Sequence, residues 1–404
     1  MSNLVIPNNG TIGSAGDTDA ISISSSGAVT LSSDFVPATP LSHRNMIING
    51  GMQVWQRATS ATTASQDYHT ADRWKMYEST DGAYTSEKHD MSLAECSTTG
   101  HRTALKLTPT TADPDIEPTQ YAYTGQFIEA QNLQHLKYGT ADAKTITLSF
   151  WVKSNITGTW CIHLRKPDNT AYNYIKNYSI SSADTWEHKT ITITPTAGST
   201  SLITGANGAI DNNNDVGLIV GFNLGWGSNG HGADDTWNSS DDYGTSSHST
   251  TASFMANTSN TFYLTGVQLE LGSVATPFEM RSYGEELARC QRYYYKIDTY
   301  RNNGYGSLLM MTSHNQTQLR GHLELPQVMR TLPTFVADGN FQTVADKGGT
   351  LLHSDFAVAD TGGNPSYQIR YDVSNGGTPF TEGKAYMVRG KNDIDAYFEF
   401  KAEL

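Results

Sequence analysis

The chain has 404 residues, room for two or three domains, and is 37% hydrophobic, 17% charged and rich in Gly, Ser, Thr, Asn and Asp. That mix suits strands joined by polar turns rather than helical bundles, and 10% aromatic residues exclude a disordered chain. A net charge of −13 with no polybasic stretch argues against nucleic acid and anionic membranes as partners, and no apolar run long enough for a membrane helix exists.

In chain order, residues 1–42 come first. Ala20–Ser24 and Val29–Ser32 alternate apolar and polar around Ser25-Ser26-Gly27, which predicts a small β-hairpin, and Pro37 and Pro40 mark a linker. A lone hairpin is marginal in water and needs partners, either another domain or further copies of itself. The opening MSNLVIPNNG lacks the features of a secretion signal, so synthesis in a cytoplasm is expected.

Residues 43–281 read as one large β-domain. Ile146, Leu148, Phe150 and Val152 share a face, as do Leu218, Val220, Phe222 and Leu224, and Trp160–Arg165 and His188–Thr194 repeat the pattern. In Phe262–Leu271 the phase slips near Gly266, where a β-bulge would return Phe262, Leu264, Val267, Leu269 and Leu271 to the core. Trp226–Ser253 reads as a long structureless loop, of a length uncommon unless functional or disordered. Residues 282–296 are expected to form a connecting helix, best over Glu285–Lys296, with Leu287, Cys290 and Tyr294 on one face. Residues 297–404 are read as a C-terminal β-domain in which Ala385–Val388 and Ile394–Phe400 form a hairpin. The fold class is therefore all-β: an N-terminal β-segment, a jelly-roll β-sandwich, a short connecting helix and a small C-terminal antiparallel β-domain. Cys96, Cys161 and Cys290 are odd in number and widely spaced, and are read as small buried hydrophobes.

Several segments then stand out together. Asn45-Met46-Ile47-Ile48-Asn49-Gly50-Gly51-Met52-Gln53-Val54-Trp55-Gln56-Arg57, Thr70-Ala71-Asp72-Arg73-Trp74, Phe262–Glu270, Thr276–Leu287 and Cys290–Tyr294 succeed one another along most of the chain. In that order they resemble a module of tailed-bacteriophage fibre and minor structural proteins, and Gly13–Leu31 and the ending Ala402-Glu403-Leu404 resemble marine-phage fibre segments. Phe150–Lys153 with Asp184–Lys189 is similar to paired strands of carbohydrate-binding jelly rolls. The resemblance implies a virion fibre or spike protein, a homotrimer assembled in the host cytoplasm. It would be joined to other virion proteins through its N-terminal segment and would touch host cell-surface glycan. A capsid-decorating head fibre or cement protein without receptor role, and a polysaccharide depolymerase, are the alternatives.

Candidate residues follow. In the 226–253 segment Trp226, Trp237 and Tyr243 could stack on sugar rings, and His231, Asp234, Asp235, Asn238, Asp241 and Asp242 could bond hydroxyls. The competing reading is a surface loop whose aromatics pack locally or on a neighbouring subunit. Asp211, Asn213 and Asp215 alternate like the start of a calcium loop, and the resemblance implies a structural Ca²⁺. However, Val216 precedes Gly217, and no Glu closes the loop, which leaves a plain turn as the competing reading. No other cofactor is expected. Paired carboxylates in so polar a loop do not suit a glycosidase, Trp226–Gly230 misses the GxSxG elbow and no HExxH motif occurs, so no enzyme is expected. Tyr293, Tyr294 and Tyr295, with Tyr300 and Tyr305, are expected to pack the helix between β-domains rather than to form an exposed patch.

Overall fold

The computed structural model describes residues 11–14, 17–26, 28–31, 42–62, 66–251, 253–299, 304–344, 351–352, 356–359, 366–373 and 379–404. Residues 1–43 form one compact unit and residues 44–404 a second. In the first unit β1 (Thr11–Ser14), β2 (Asp17–Ile23) and β3 (Val29–Leu31) make a three-stranded antiparallel sheet. The expected hairpin is its β2–β3 pair, turning at Ser25 and Ser26; Gly27 lies outside the described residues.

In the second unit two six-stranded sheets form a sandwich. Its strands are β4 (Ser60–Thr62), β5 (Lys75–Glu78), β6 (Ala83–Asp90), β7 (Thr103–Thr111), β8 (Tyr121–Glu129) and β9 (Ile146–Ser154). They continue as β10 (Gly158–Lys166), β11 (Tyr172–Ile180), β12 (Glu187–Ile193), β13 (Val216–Trp226), β14 (Thr236–Asn238) and β15 (Phe262–Leu271). One sheet runs β14-β11-β10-β13-β8-β5, the other β12-β9-β15-β7-β6-β4, every pair antiparallel. The alternating sets read from the sequence meet in the core: Ile146, Leu148, Phe150 and Val152 from β9 and Leu218, Val220, Phe222 and Leu224 from β13 are all 0% exposed. The bulge is present. Gly266 has φ 60, the register against β9 shifts between Thr265 and Gln268, and Phe262, Leu264, Val267 and Leu269 all reach the core while Leu271 packs at its edge. A left-handed φ is easiest for glycine, which is why the slip falls there.

The segments that resemble the phage module build a buried polar hub rather than a surface. Asn49, at φ 57, accepts from the amides of Gln53 and Val54 (2.8 and 2.9 Å) and donates to the carbonyls of Val54 and Asp72 (2.9 and 3.0 Å). Glu279 accepts from the amides of Arg44 and Asn45, and Arg281 donates to the carbonyls of Asn45 and Ile47. These bonds, with the backbone bonds Met46 N to Leu269 O and Val267 N to Gly50 O of β15, hold irregular backbone against the sandwich.

The connecting helix is shorter than the pattern predicted. α3 spans Tyr283–Gln291, capped by Ser282, whose hydroxyl accepts from the Glu285 amide. Its buried residues are Glu286 and Cys290, with Glu286 taking the Asn49 amide at 2.5 Å, while Leu287 is half-buried. Tyr294 leaves the helix to start β16 (Tyr294–Asp298), because a strand distant in sequence pairs with it and tyrosine fits a pleated surface well.

The C-terminal part continues with β17 (Ser307–Asn315), β18 (Gln318–Glu324), β19 (Thr334–Asp338), β20 (Phe341–Val344) and β21 (Leu351–Leu352). It ends with β22 (Phe356–Ala359), β23 (Ser366–Asp372), β24 (Ala385–Gly390) and β25 (Tyr397–Lys401). β24 belongs to a seven-stranded sheet, β21-β20-β24-β17-β18-β23-β22, and β25 to a three-stranded one, β16-β25-β19. The expected hairpin of these two strands does not form. Ala396, Phe398 and Phe400 are 0% exposed in a second core, and Ile394 is half exposed.

The last residues lie on the sandwich. Glu403 pairs with Arg57 and Arg73, whose guanidinium groups sit 3.7 and 3.5 Å from the ring centres of Tyr294 and Tyr293, and Arg330 donates to the carbonyls of Ala402, Glu403 and Asn214. Tyr293 and Tyr294 are therefore packed, each 1% exposed, Tyr295 and Tyr305 are half-buried, and Tyr300 lies outside the described residues.

Candidate functional site

The segment after Trp226 is not structureless. β14 adds an edge strand, and α2 (Ser246–Thr251) follows. Period-2 alternation on β14 sends Trp237 inward: it is 1% exposed, its Nε1 donates to the Thr194 carbonyl at 2.9 Å, and it packs on Tyr138 and Tyr174. Trp237 is a core residue and offers no face to a sugar. Asp234 and Asp235 meet Lys176 (3.8 and 3.1 Å), Asp234 takes the Asn177 amide, and Asp235 takes the Tyr174 hydroxyl. Asn238 accepts from the Ser240 amide in a turn, and Asp242 sits against Gly232, its carboxyl pushed up by burial and by Asp241. Five residues of the expected platform, Asp234, Asp235, Trp237, Asn238 and Asp242, thus serve the sheet edge or the core.

The other expected residues divide between two hollows. Trp226, Asp241 and Tyr243 line a groove of about 400 Å³ on the outer face of the first sheet. Tyr77 from β5, Tyr121, Tyr123 and Phe127 from β8, and Ile219 from β13 complete its walls, with His163 and Arg165 from β10. The outward positions of these strands alternate with core residues such as Ile162, Leu164 and Val220, so one pattern serves both faces. Tyr77 stacks on Tyr123 (4.3 Å between ring centres), Tyr121 on Trp226 (5.1 Å) and Trp226 on Tyr243 (4.9 Å). Arg165 reaches Asp241 at 3.3 Å, and the Tyr243 hydroxyl donates to the same carboxylate at 3.2 Å. Burial pushes the Tyr77 phenol up to about 12 and the His163 imidazole down to about 4.

His231 lines the other hollow, a cleft of about 680 Å³ between residues 114–118, 224–228 and 253–255. Its Nε2 donates to the Trp226 carbonyl at 3.0 Å, and Trp226 is the wall common to cleft and groove.

Asp211, Asn213 and Asp215 lie in a turn bonded within the chain. The Asn213 side-chain oxygen is spent on the Asp215 amide, and Asp211 Oδ1 accepts from Asn169. The positive charge here is an ammonium: Lys166, 0% exposed, donates to the carbonyls of Asp168, Asn207 and Ala209. Among the described residues no group of three or more His, Cys, Asp or Glu side chains could hold a metal ion.

The sequence matches no protein-family model and no curated protein. Among solved structures the chain is similar to the enzymatically active domain of tailspike protein 4 of bacteriophage CBA120, at 10% identity and TM-score 0.28 over 56% of this chain and 21% of that one. It thus spans about a fifth of the tailspike domain it matches. A family 11 carbohydrate-binding module from Clostridium thermocellum, in complex with a mixed-linked tetrasaccharide, matches at 11% identity and TM-score 0.26 over 54% of this chain and 98% of the module. The tandem CBM22 domains of a Paenibacillus barcinonensis protein match at 8% identity and TM-score 0.26, covering 92% and 98%. Likeness at this level does not bear on the ligand of this chain.

Sequence reasoning missed Tyr77, Tyr121, Tyr123, Phe127, His163, Arg165 and Ile219. A signal existed in Tyr121-Ala122-Tyr123, where two aromatics share the face opposite a core alanine, and in His163 and Arg165 at the polar positions of a recognised strand. What no pattern held was that β5, β8, β10 and β13 lie side by side.

Proposed function

We propose that this chain is a virion fibre or spike protein that binds host-surface glycan, without covalent chemistry, in the aromatic groove of its first sheet. The observation that carries the reading is the outward row of stacked rings, Tyr77–Tyr123 and Tyr121–Trp226–Tyr243, flanked by Arg165 and Asp241. Ring faces take the apolar C–H faces of a sugar, and the flanking polar groups take its hydroxyls. Among the groove's described lining residues Asp241 is the one carboxylate, 83% exposed and paired to Arg165. The virion assignment rests on the sequence resemblance set out above. The first unit is a three-stranded sheet with Ile12 and Val29 exposed, and three copies would bury what one leaves open. Copies displayed together would convert weak groove contacts into firm adhesion.

The test is binding of the full chain to host cells and to soluble oligosaccharides released from their surface polysaccharide, read by calorimetry for wild type and Tyr77→Ala. Saturable binding that the variant weakens is expected. Cell binding untouched by Tyr77→Ala, or none at all, counts against the groove and favours a head-decorating role. Electron microscopy of virions labelled with antibody to this chain locates it.

A further inference from the structure

At the floor of the groove lies a polar side chain whose orientation is decided by its neighbours. His163 points outward from β10 between Ile175 of β11 and Gly221 of β13. It is 1% exposed, and its imidazole lies over Gly221, where any Cβ would fall 2.1 Å from Cε1; a larger residue at 221 would expel the ring. Tyr123, Trp226 and Tyr243 surround it edge-on, at 4.8, 5.8 and 5.3 Å between ring centres.

The buried Asn223 decides its tautomer. Asn223 Nδ2 donates to the Tyr243 carbonyl at 2.5 Å and to Cys161 Sγ at 3.0 Å. A carbonyl only accepts, so the amide nitrogen must face it, and the amide oxygen faces His163 Nδ1 at 2.7 Å. Nδ1 therefore carries the proton and Nε2 a lone pair. Nε2 has no hydrogen-bond partner among the described residues, and the ring lines the groove.

We infer that His163 Nε2 is a fixed hydrogen-bond acceptor for a hydroxyl of the bound ligand, and that it selects neutral, hydroxyl-bearing sugar over a carboxylate or sulfate at that point. The inference rests on the groove being the ligand site. Its physical basis is that an acceptor which a ligand covers without pairing it is costly, while a ligand oxygen without a proton would meet it lone pair to lone pair. The charged and titratable groups around it are Arg165 and Cys161 on its own strand, Tyr123 on β8, and Asp241 and Tyr243 beyond β14. Burial, then Arg165, hold the imidazole neutral to about pH 4, with the Asn223 bond opposing them.

The tautomer is tested without ligand by long-range ¹H–¹⁵N correlation on histidine-labelled full chain. A protonated Nδ1 and unprotonated Nε2 for His163 at pH 7 are expected; the opposite tautomer overturns the inference. The contact is tested with neutral and uronic-acid oligosaccharides from host polysaccharide, titrated into wild type, Tyr77→Ala and His163→Phe. A loss of about tenfold for neutral oligosaccharide in His163→Phe, the worth of one hydrogen bond, supports it. If Tyr77→Ala weakens binding and His163→Phe does not, the groove stands and the acceptor role falls. Preference for the uronic-acid series that His163→Phe abolishes reverses the selectivity and also overturns it. If neither variant changes binding, the groove reading fails and the inference with it.

Discussion

The two outer faces of the sandwich are both aromatic, yet only one is open. On the second sheet Trp151, Trp186 and Tyr263 pack with Met91 and Ala104, and α1 (Leu93–Thr99) carries the capping-box residue Glu95, which accepts from Lys153 Nζ (2.7 Å), Trp186 Nε1 (3.0 Å) and His89 (3.2 Å). The Lys153 ammonium stands 4.2 Å from the centre of the Tyr263 ring. Burial raises the Glu95 carboxyl, but bonds from Lys153, Ser92, Trp186 and His89 outweigh it and hold it well below the usual range. On the first sheet α2 packs against β10 and β13, yet the rings line a groove, and His163 Nε2 has no hydrogen-bond partner among the described residues. Aromatic surface therefore does not distinguish a ligand site from a packed face. On the second face the polar groups around Glu95 are satisfied within the chain, whereas on the first the ring of His163 lines the groove.

Four experiments break or sharpen that contrast. Trp226→Ala should do most harm, since the ring walls the groove and fills the space above Gly230 and Gly244; a loss of about 3–5 kcal/mol is expected in chemical denaturation, with binding lost as well. Acid comes next. Burial pushes His163 under the first face and His101 beside the bulge of the second from 6.5 to about 4, and His248 likewise. The folded chain then binds fewer protons than the unfolded one between those values, so this stability is complete above pH 6.5 and lost as pH falls toward 4. On the order of 2–3 kcal/mol per fully buried imidazole is at stake. His163→Phe should remove its share of that slope and leave the rest.

Glu95→Ala should cost about 2 kcal/mol, by orphaning Lys153 and Trp186 Nε1, and leave oligosaccharide affinity unchanged. In wild type this part of the stability is present above the usual glutamate pKa and lost as pH falls below it. A change in affinity would show that the faces communicate. Tyr77→Ala should be mildest for the fold, under about 1 kcal/mol for a half-exposed edge-strand residue, while weakening binding about tenfold. Equal effects of Glu95→Ala and Tyr77→Ala on affinity would erase the distinction between the faces.

The candidate site was legible in part. Trp226, Asp241 and Tyr243 could be chosen because they lie in an aromatic, polar stretch, but Trp237 in the same stretch is core. Three residues of β14 suffice to turn one ring inward, and so short a strand leaves no periodic trace. Tyr294 failed for the opposite reason: its helical spacing was real, but β25, a hundred residues on, gave it a strand partner.

By itself the sequence determined the β class, the core faces of β9, β13 and β15 and the bulge at Gly266, because side-chain alternation and a left-handed glycine are local properties of the chain. Only the tertiary structure decided which outward residues are neighbours. Strand order within a sheet follows from pairings across many residues, and it was those pairings that set Tyr77, Tyr123, His163 and Trp226 around one hollow.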